Sequence, residues 1–286
     1  MIISIASGKG GTGKTLVATS MAQALLGTVP VTLLDCDVEE PNDHIYMRGQ
    51  VTSSIPVTIP VPIVDKSKCT LCGVCRDVCA FNAIAVLGSS VLVFNELCHG
   101  CGACSRLCPA GAITEEAHQI GVMREYSVPG MRFFDGLLTV GQALAPPIIR
   151  RVKEHTGAAG VTIIDASPGT SCPVVEAVKD SDFCVLVTEP TPFGLNDLRL
   201  AVETMRELNT PHAAIINRVG VGDARTEEYC KQEGIPILMT IPLDERIARS
   251  YSRGIPLLEA LPEYRQRFLD LYQRIVEQGN ETDRRS

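Results

Sequence analysis

The chain has 286 residues, of which 45% are hydrophobic and 21% are charged, and its formal charge is −7. This length suffices for one large α/β domain and a small module. The acidic balance argues against nucleic-acid binding, which needs lysine and arginine to neutralise phosphates. No apolar run approaches the roughly 18 residues of a membrane span, and the first is too short for a signal peptide. We therefore expect a cytoplasmic protein without a membrane partner, whose 12 cysteines serve mostly as metal ligands.

The first motif is a phosphate-binding loop, Gly-Lys-Gly-Gly-Thr-Gly-Lys-Thr at residues 8–15. It follows the apolar run 2–6 and precedes a helical stretch at 15–26, which is the context that G-x-x-x-x-G-K-[ST] needs. Backbone N–H groups of such a loop turn toward a phosphate, and the next helix adds the positive end of its dipole. Lys14 is expected at the β- and γ-phosphates and Thr15 at Mg²⁺. The other loop residues assigned to the nucleotide are Gly8, Gly10, Gly11, Thr12 and Gly13.

Two further buried runs end in acidic residues, the first at Asp35 and Asp37 and the second at Asp165. Parallel α/β sheets place ligand sites at the carboxyl ends of their strands, so we expect these carboxylates at the nucleotide. Asp37 is the better candidate of its pair, and the alternative is that one of the two acids caps a loop. Asp165 is the expected Walker B ligand of Mg²⁺. The N–H of Gly169 is a candidate sensor of the γ-phosphate.

The composition shifts between residues 51 and 64 to Val, Ile, Thr and Pro. Pro56, Pro60 and Pro62 argue against a regular central strand, because proline cannot donate a hydrogen bond to a neighbouring strand. We interpret this stretch as the lead-in to an inserted module at residues 61–120.

That module contains a cysteine pattern that occurs twice, with each cysteine 29 positions from its twin. The run C-x2-C-x2-C-x3-C is typical of bacterial two-cluster ferredoxins, in which the fourth cysteine of each run binds the other cluster. Zinc is the alternative metal, since C-x2-C pairs also form zinc sites, but the doubled spacing favours iron–sulfur clusters. The expected ligands of one 4Fe-4S cluster are Cys69, Cys72, Cys75 and Cys108. Those of the other are Cys98, Cys101, Cys104 and Cys79.

The rest of the chain continues the α/β pattern. Expected elements are a hairpin or linker within 124–141, a helix within 142–155, strands at 183–188, 213–217 and 237–241, and a helix at 195–208. Asn217 and Arg218 end one of these strands, and the sequence there lacks the N-K-x-D pattern of a guanine site, which favours ATP over GTP. Pro242 is expected to line the base pocket.

A final helix is expected at 264–276, with one apolar face. A membrane anchor is the alternative to core packing, but the polar face mixes acidic and basic residues and lacks the basic bias that anionic lipid selects. Core packing is therefore favoured. Residues 279–286 are expected to form a disordered polar tail.

The loop Lys-Gly-Gly-Thr-Gly-Lys-Thr at 9–15 resembles the deviant Walker A motif of the MinD, ParA, Mrp and nitrogenase iron protein superfamily, and the pattern Asp-x-x-Pro-Gly at 165–169 resembles its second switch. The resemblance implies an α/β P-loop NTPase domain at 1–60 and 121–286, with a mostly parallel sheet flanked by helices. The module at 61–120 is then an inserted α+β ferredoxin-like domain.

The same resemblance implies a nucleotide-sandwich homodimer, or a heterodimer with a related ATPase, in which Lys9 reaches the partner's nucleotide. It makes Lys9, Lys14, Asp37 and Asp165 the catalytic residues. Asp37 would orient the attacking water and help to hold Mg²⁺, and Asn217 would bind adenine.

The function that these motifs favour is Mg-dependent ATP hydrolysis coupled to two 4Fe-4S clusters, which gates electron transfer or docking to a redox or Fe-S partner protein. One alternative is an Fe-S cluster carrier like the Mrp group, although its carboxyl-terminal C-x-x-C is missing here. The other is a positioning ATPase of the MinD and ParA kind, which would need a membrane tail or a basic DNA-binding face. Cys172 loosely matches a cluster ligand of the nitrogenase iron protein, and its alternative is a small buried residue at a helix start.

Overall fold

The structure is a computed structural model that describes residues 1–157 and 159–283. Its strands are β1 (Ile2–Ala6), β2 (Val31–Cys36), β3 (Gln50–Val64), β4 (Ile84–Leu87), β5 (Ser90–Val93), β6 (Ile113–Val128), β7 (Met131–Leu138), β8 (Val161–Ala166), β9 (Phe183–Thr188), β10 (His212–Val219) and β11 (Ile237–Pro242). Its α-helices are α1 (Lys14–Leu25), α2 (Asp43–Met47), α3 (Val74–Asp77), α4 (Ala103–Arg106), α5 (Pro146–Lys153), α6 (Cys172–Val178), α7 (Pro192–Glu207), α8 (Arg225–Gln232), α9 (Glu245–Tyr251), α10 (Leu257–Ala260) and α11 (Tyr264–Asp283).

The main sheet has nine strands in the order β11-β10-β9-β1-β8-β2-β7-β6-β3. The strands from β11 to β7 are parallel, whereas β6 and β3 add on as antiparallel neighbours. Every residue of β2, β8 and β9 is buried, which is the pattern of a parallel sheet covered on both faces. The predicted α/β fold with a mostly parallel, helix-flanked sheet is confirmed.

Two hydrophobic cores lie on opposite faces of this sheet, because successive strand residues point to opposite sides. Leu33 packs with α1, α9, α10 and α11, whereas Leu34 packs with α5, α6, α7 and α8. Phe268 and Ile275 of α11 are fully buried in the first core, so the final helix packs into the domain as predicted. No helix within residues 1–157 and 159–283 is both long and apolar enough to cross a membrane.

Three predicted boundaries differ from the structure. The stretch 51–64 forms part of one 15-residue strand, β3, and its three prolines are tolerated because β3 lies at the sheet edge, where one row of N–H groups needs no strand partner. Helix α5 begins only at Pro146, since proline is accommodated in the first helical turn. Helix α11 runs to Asp283, so residues 279–283 are helical, and 284–286 lie outside the described residues.

Strands β3 and β6 form a ribbon that extends past the main sheet. Gly121 faces both Val57 and Leu138, the last residue of β7. Beyond this point only β3 and β6 pair, from Thr58 and Gln119 to Val64 and Ile113, a span of roughly 20 Å at the rise of a β-strand. The ribbon leaves the sheet at the carboxyl ends of β2 and β7. It carries residues 65–112, and the predicted domain boundaries at 60/61 and 120/121 fall inside its strands.

A buried ion pair stabilises the base of this ribbon. Asp135 on β7 is 0% exposed and accepts hydrogen bonds from Arg124 Nε at 2.8 Å, Arg124 Nη2 at 2.5 Å and Tyr126 Oη at 2.7 Å. We expect Arg124→Ala to lower the free energy of unfolding by about 3–5 kcal/mol, because it leaves a buried carboxylate without its cation. Chemical denaturation followed by circular dichroism measures the loss.

The matched control is Arg48→Ala, which removes an exposed ion pair. The side chains of Arg48 and its partner Glu259 are 55% and 56% exposed. An exposed pair contributes about 0–1 kcal/mol. Equal losses in the two variants would contradict a structural role for the Arg124 and Asp135 pair.

Candidate nucleotide and iron–sulfur sites

A cavity of about 350 Å³ opens at the carboxyl ends of the parallel strands. The predicted site residues that line it are Gly10, Gly11, Gly13, Lys14, Thr15, Asp37, Asn217, Arg218 and Pro242. Residues that sequence reasoning missed also line it, above all Ile247, Ala248 and Tyr251 of α9. Their spacing, i, i+1 and i+4, is that of one helix face, and this is the only signal that could have suggested them.

Three predicted nucleotide residues lie outside the cavity lining. Gly8 contacts the backbone of Asp197 so closely that any side chain at this position would overlap it. Thr12 is buried, and the Gly169 N–H donates to Ser7 O at 2.9 Å. In this conformation, therefore, Gly8 packs against Asp197, and the N–H group of Gly169, the predicted γ-phosphate sensor, is already bonded to Ser7.

The expected Mg²⁺ ligands converge on the start of α1. Thr15 Oγ1 donates a hydrogen bond to Asp165 Oδ2 at 2.6 Å, which is the arrangement in which a hydroxyl and a carboxylate can share one hydrated cation. Burial raises the pKa of Asp165 to about 6 and that of Asp37 to about 7, and in both cases the nearby Lys14 acts in the opposite direction. A bound cation or phosphate would change this balance strongly, because its charge exceeds that of any side chain here.

Asp35 behaves differently from Asp37. Its carboxylate accepts hydrogen bonds from the backbone N–H groups of Asp37 at 3.0 Å, Asn42 at 2.9 Å and Asp43 at 3.0 Å. It therefore caps the loop that follows β2, which is the alternative considered for one acid of the pair.

Lys9 is bound within its own subunit. Its ammonium group forms an ion pair with Glu189 at the end of β9, and Glu189 also pairs with Arg218 at 2.9 Å. Burial alone would raise the pKa of Glu189. Lys9 and Arg218 together hold this pKa below its usual range. The predicted reach of Lys9 to a partner's nucleotide requires this pair to break.

Asn217 ties the phosphate loop to β10. Its Nδ2 donates to Thr12 O at 2.7 Å, and its Oδ1 accepts the Arg218 N–H at 2.8 Å. The amide group retains one free N–H for a base, since Nδ2 has two hydrogens. Asn217 thus shapes the loop whether or not it also contacts adenine.

The contact between Gly13 and Asn217 gives a testable prediction. Gly13 has φ +102° and a Cβ atom there would overlap Asn217 Nδ2, so Gly13→Ala must displace either the loop or the amide. We expect nucleotide affinity to fall by about tenfold or more, as for a lost buried hydrogen bond together with backbone strain. Titration with a fluorescent ATP analogue measures this.

Gly234→Ala is the control. Gly234 also has a positive φ, +67°, but a Cβ atom there has nothing within 4 Å, and the residue lies in the turn before β11. Backbone strain without a clash should leave nucleotide affinity unchanged, so an equal loss in both variants would rule out the Gly13 clash as the cause.

The eight repeated cysteines line two small cavities on the module at residues 65–112. One cavity contains Cys69, Cys72, Cys75 and Cys108. The other contains Cys79, Cys98, Cys101 and Cys104. Each cavity therefore takes three cysteines from one run and the fourth from the other run. Backbone N–H groups donate to the sulfur atoms of Cys79 and Cys108, both at 3.3 Å, and of Cys98 at 3.4 Å.

The two halves of the module share three left-handed backbone positions. Left-handed residues recur 29 positions apart as Leu71 and Gly100, Gly73 and Gly102, and Asn82 and Gly111. The halves also exchange equivalent hydrogen bonds, because Asp65 N–H donates to Ala112 O at 2.7 Å and Phe94 N–H donates to Ala83 O at 2.8 Å. The sequence repeat is thus a structural repeat related by an approximate two-fold axis.

The two cysteine cavities differ in their distance from the main sheet. Pro60 and Pro62 of β3 line the cavity that contains Cys98. Cys98 itself packs against the hydrophobic core that lies between the main sheet and helices α5 to α8. The other cavity is lined by Val64 and Ile113 at the tip of the ribbon. We call them the proximal and distal cavities.

The remaining cysteines lie outside both cavities. Cys36, Cys184 and Cys230 are buried. Cys172 is the first residue of α6, but it is exposed, so the alternative of a small buried residue is wrong for this position.

Comparison with known proteins gives the chain its family. The sequence profile of the family described as "CobQ/CobB/MinD/ParA nucleotide binding domain" matches residues 3–257. An uncharacterized protein of Methanocaldococcus jannaschii is 30% identical over 97% of this chain and 97% of its own length. A protein of Pyrococcus horikoshii named "Iron-sulfur cluster carrier protein" is 26% identical over 42% of this chain and 46% of its own.

Among solved structures, the septum site-determining protein MinD of Pyrococcus horikoshii, complexed with Mg-ADP, has a TM-score of 0.60 at 19% identity and covers 96% of this chain and 95% of its own. This similarity concerns the fold. The family profile and the full-length relative together establish that this chain belongs to the CobQ/CobB/MinD/ParA nucleotide-binding family.

Proposed function

We propose that this protein is a Mg²⁺-dependent ATPase with two 4Fe-4S clusters on an inserted ferredoxin-like domain, and that its nucleotide state controls electron transfer or docking to a redox partner. The observation that carries this proposal is the shared position of the two sites. The nucleotide cavity and the cysteine ribbon both lie at the carboxyl edge of one sheet.

The donor sets of the cysteine cavities fit such clusters. Four thiolates per cavity are the ligands that a 4Fe-4S cluster takes, and crossing of the fourth cysteine is the two-cluster ferredoxin arrangement. Backbone N–H groups that donate to the sulfur atoms of Cys79, Cys98 and Cys108 would stabilise the reduced state of a cluster. When bound, each cluster would supply a one-electron redox centre.

At the nucleotide, the roles follow from the positions of the side chains. Lys14, which is 6% exposed, lies in the cavity as the cation for the β- and γ-phosphates, and Thr15 with Asp165 provides oxygen ligands for Mg²⁺. Asp37 orients the attacking water. The Mg-ADP bound to the Pyrococcus horikoshii MinD supports the same ligand for this fold.

A chain of backbone hydrogen bonds offers a route between the two sites. Val38, next to Asp37, accepts the N–H of Leu138 at 2.8 Å, and the neighbouring Thr139 N–H donates to Ile120 O on β6 at 2.9 Å. Movement of the Asp37 loop on nucleotide binding would thus reach β6, which runs directly into the cysteine module. This contiguity supports coupling between the nucleotide cavity and the cysteine module.

The dimer belongs to the same proposal. ATP would bring two copies, or one copy and a related subunit, together at the carboxyl edge. Lys9 would exchange Glu189 for the partner's phosphates. The exposed loop glycines Gly10 and Gly11 leave room for such an approach.

A second candidate function is transfer of Fe-S clusters, which the name of the Pyrococcus horikoshii relative favours. In that case the cysteine module would donate its metal to an apo-protein. A positioning ATPase is a third reading, supported by the fold similarity to MinD.

The test is electron paramagnetic resonance of anaerobically purified, dithionite-reduced protein with ATP·Mg, with ADP·Mg or without nucleotide, together with iron counting. We expect about eight irons per chain and a spectrum or reduction potential that differs between ATP and ADP. Clusters that are indifferent to nucleotide would count against gating. Loss of iron to an apo-protein would favour the carrier, and ATP-dependent co-sedimentation with liposomes would favour the positioning ATPase.

A further inference from the structure

Three buried carboxylates meet beneath the nucleotide cavity. Asp35, Asp43 and Asp165 each offer an oxygen within 4.8 Å of the other two, and each is at most 1% exposed. The fold brings them together in two ways. Asp35 and Asp165 face each other in register on β2 and β8, and Asp43 is the first residue of α2.

The hydrogen bonds around these carboxylates leave several oxygen atoms unpartnered. Asp165 uses Oδ2 for Thr15, whereas its Oδ1 has no hydrogen-bond partner. Neither oxygen of Asp43 has one. Unpartnered buried oxygens of this kind are rare and costly, and either a proton shared between Asp43 and Asp165 or a bound cation would satisfy them.

The charges around the cluster indicate which class of ligand it would bind. The cation that acts on Asp165 is Lys14, and a fourth nearby carboxylate, Asp135, is already paired with Arg124. Burial raises the pKa of all three carboxyl groups, because in the ionised state the cluster and Lys14 would together carry two buried negative charges. Buried charges are stable when they are paired or coordinate a metal, and a single divalent cation balances this excess. Carboxylate oxygens select hard cations such as Mg²⁺, Mn²⁺ or Ca²⁺.

We propose that Asp35, Asp43 and Asp165 bind a divalent cation through Oδ1 of Asp165, whereas Asp165 Oδ2 and Thr15 remain available to the separate Mg²⁺ that accompanies the nucleotide. We expect this cation to bind in the absence of nucleotide. It joins β2, β8 and α2 and thereby fixes the loop that carries Asp37. This inference does not depend on ATP hydrolysis or on the clusters.

Mn²⁺ alone is the probe, because it prefers oxygen ligands and the module's thiolates select softer metals. Full-length protein without nucleotide is titrated with Mn²⁺, and free Mn²⁺ is counted by electron paramagnetic resonance. We expect one tightly bound Mn²⁺ per chain. Asp43→Asn, which keeps the shape of the side chain and removes its charge, should weaken this binding by about tenfold or more.

Thr15→Ala separates the two sites. Thr15 is not one of the three proposed ligands and bonds only to Oδ2 of Asp165, so this variant should still bind one Mn²⁺ per chain in the absence of nucleotide. Thermal unfolding gives a second readout, since a ligand that binds only the folded state raises the unfolding temperature. Mn²⁺ should raise it for the wild type and for Thr15→Ala but not for Asp43→Asn.

Three results would overturn the proposal: no Mn²⁺ binding by the nucleotide-free wild type, undiminished binding by Asp43→Asn, or loss of binding in Thr15→Ala. The second result would mean that Asp43 satisfies its oxygens with a proton. Asp35→Asn is the substitute variant if Asp43→Asn does not fold, and the same loss of binding is expected from it.

Discussion

Lys14→Ala is expected to lower the rate of ATP hydrolysis by about 10²–10³, the cost of removing one preorganised charge that stabilises a transition state. Lys14 is 6% exposed, so its charge acts in a site from which water is largely excluded. It is also the cation that opposes the burial-driven rise in the pKa values of Asp37 and Asp165. Steady-state phosphate release with saturating ATP·Mg measures the effect.

Two lysine variants make this test specific. Lys231→Ala removes the same charge from an exposed position on α8 and should leave the rate unchanged. Lys9→Ala should keep nucleotide binding, because Lys9 contacts Glu189 and does not line the cavity. It should lose the part of the ATP hydrolysis rate that rises with protein concentration, because that part depends on the proposed dimer. A Lys14→Ala rate within threefold of the wild type would contradict the assignment of the nucleotide site.

Local sequence signals predicted nine of the 18 residues that line the large cavity. The residues 8–15 form a contiguous loop whose conformation depends on its own glycines, such as Gly13 with φ +102°, so a short pattern contains the necessary information. The doubled cysteine pattern is local in the same sense. The same pattern predicts the exchange of the fourth cysteine, and the cysteines are grouped in this way in the two cavities; the structure adds the repeat of the backbone conformation.

Features that depend on distant contacts were missed or misjudged. The prolines of β3 argue against a central strand, but they do not predict the long edge strand that forms here, because the position of a strand depends on the whole sheet. The contribution of α9 to the cavity depends on where β11 ends in space. Asp43 is the clearest case, because its sequence neighbours give no indication that it lies within 4.8 Å of residues from two different strands.

The crossing of cysteines between cavities leads to the second large effect. Cys79 belongs to the first run in sequence, but it lines the proximal cavity with Cys98, Cys101 and Cys104. Cys79→Ser should therefore remove the same cluster as Cys101→Ser, and iron should fall from about eight to about four per chain in both variants. Their residual spectra should be identical to each other.

The distal cavity provides the reciprocal pair. Cys72→Ser and Cys108→Ser should share a different residual spectrum, although Cys108 belongs to the second run. Cys172→Ser is the control, because Cys172 is exposed and lies outside the module, and it should retain about eight irons.

If Cys79→Ser instead matched Cys72→Ser, each run would hold its own cluster, and the two cavities would not be cluster sites. Bound zinc in place of iron would identify them as zinc sites. If Cys172→Ser lost iron, a further cluster between subunits would be indicated. Because the four module variants differ only in which sulfur is removed, their grouping tests the spatial arrangement of the cysteines independently of any activity.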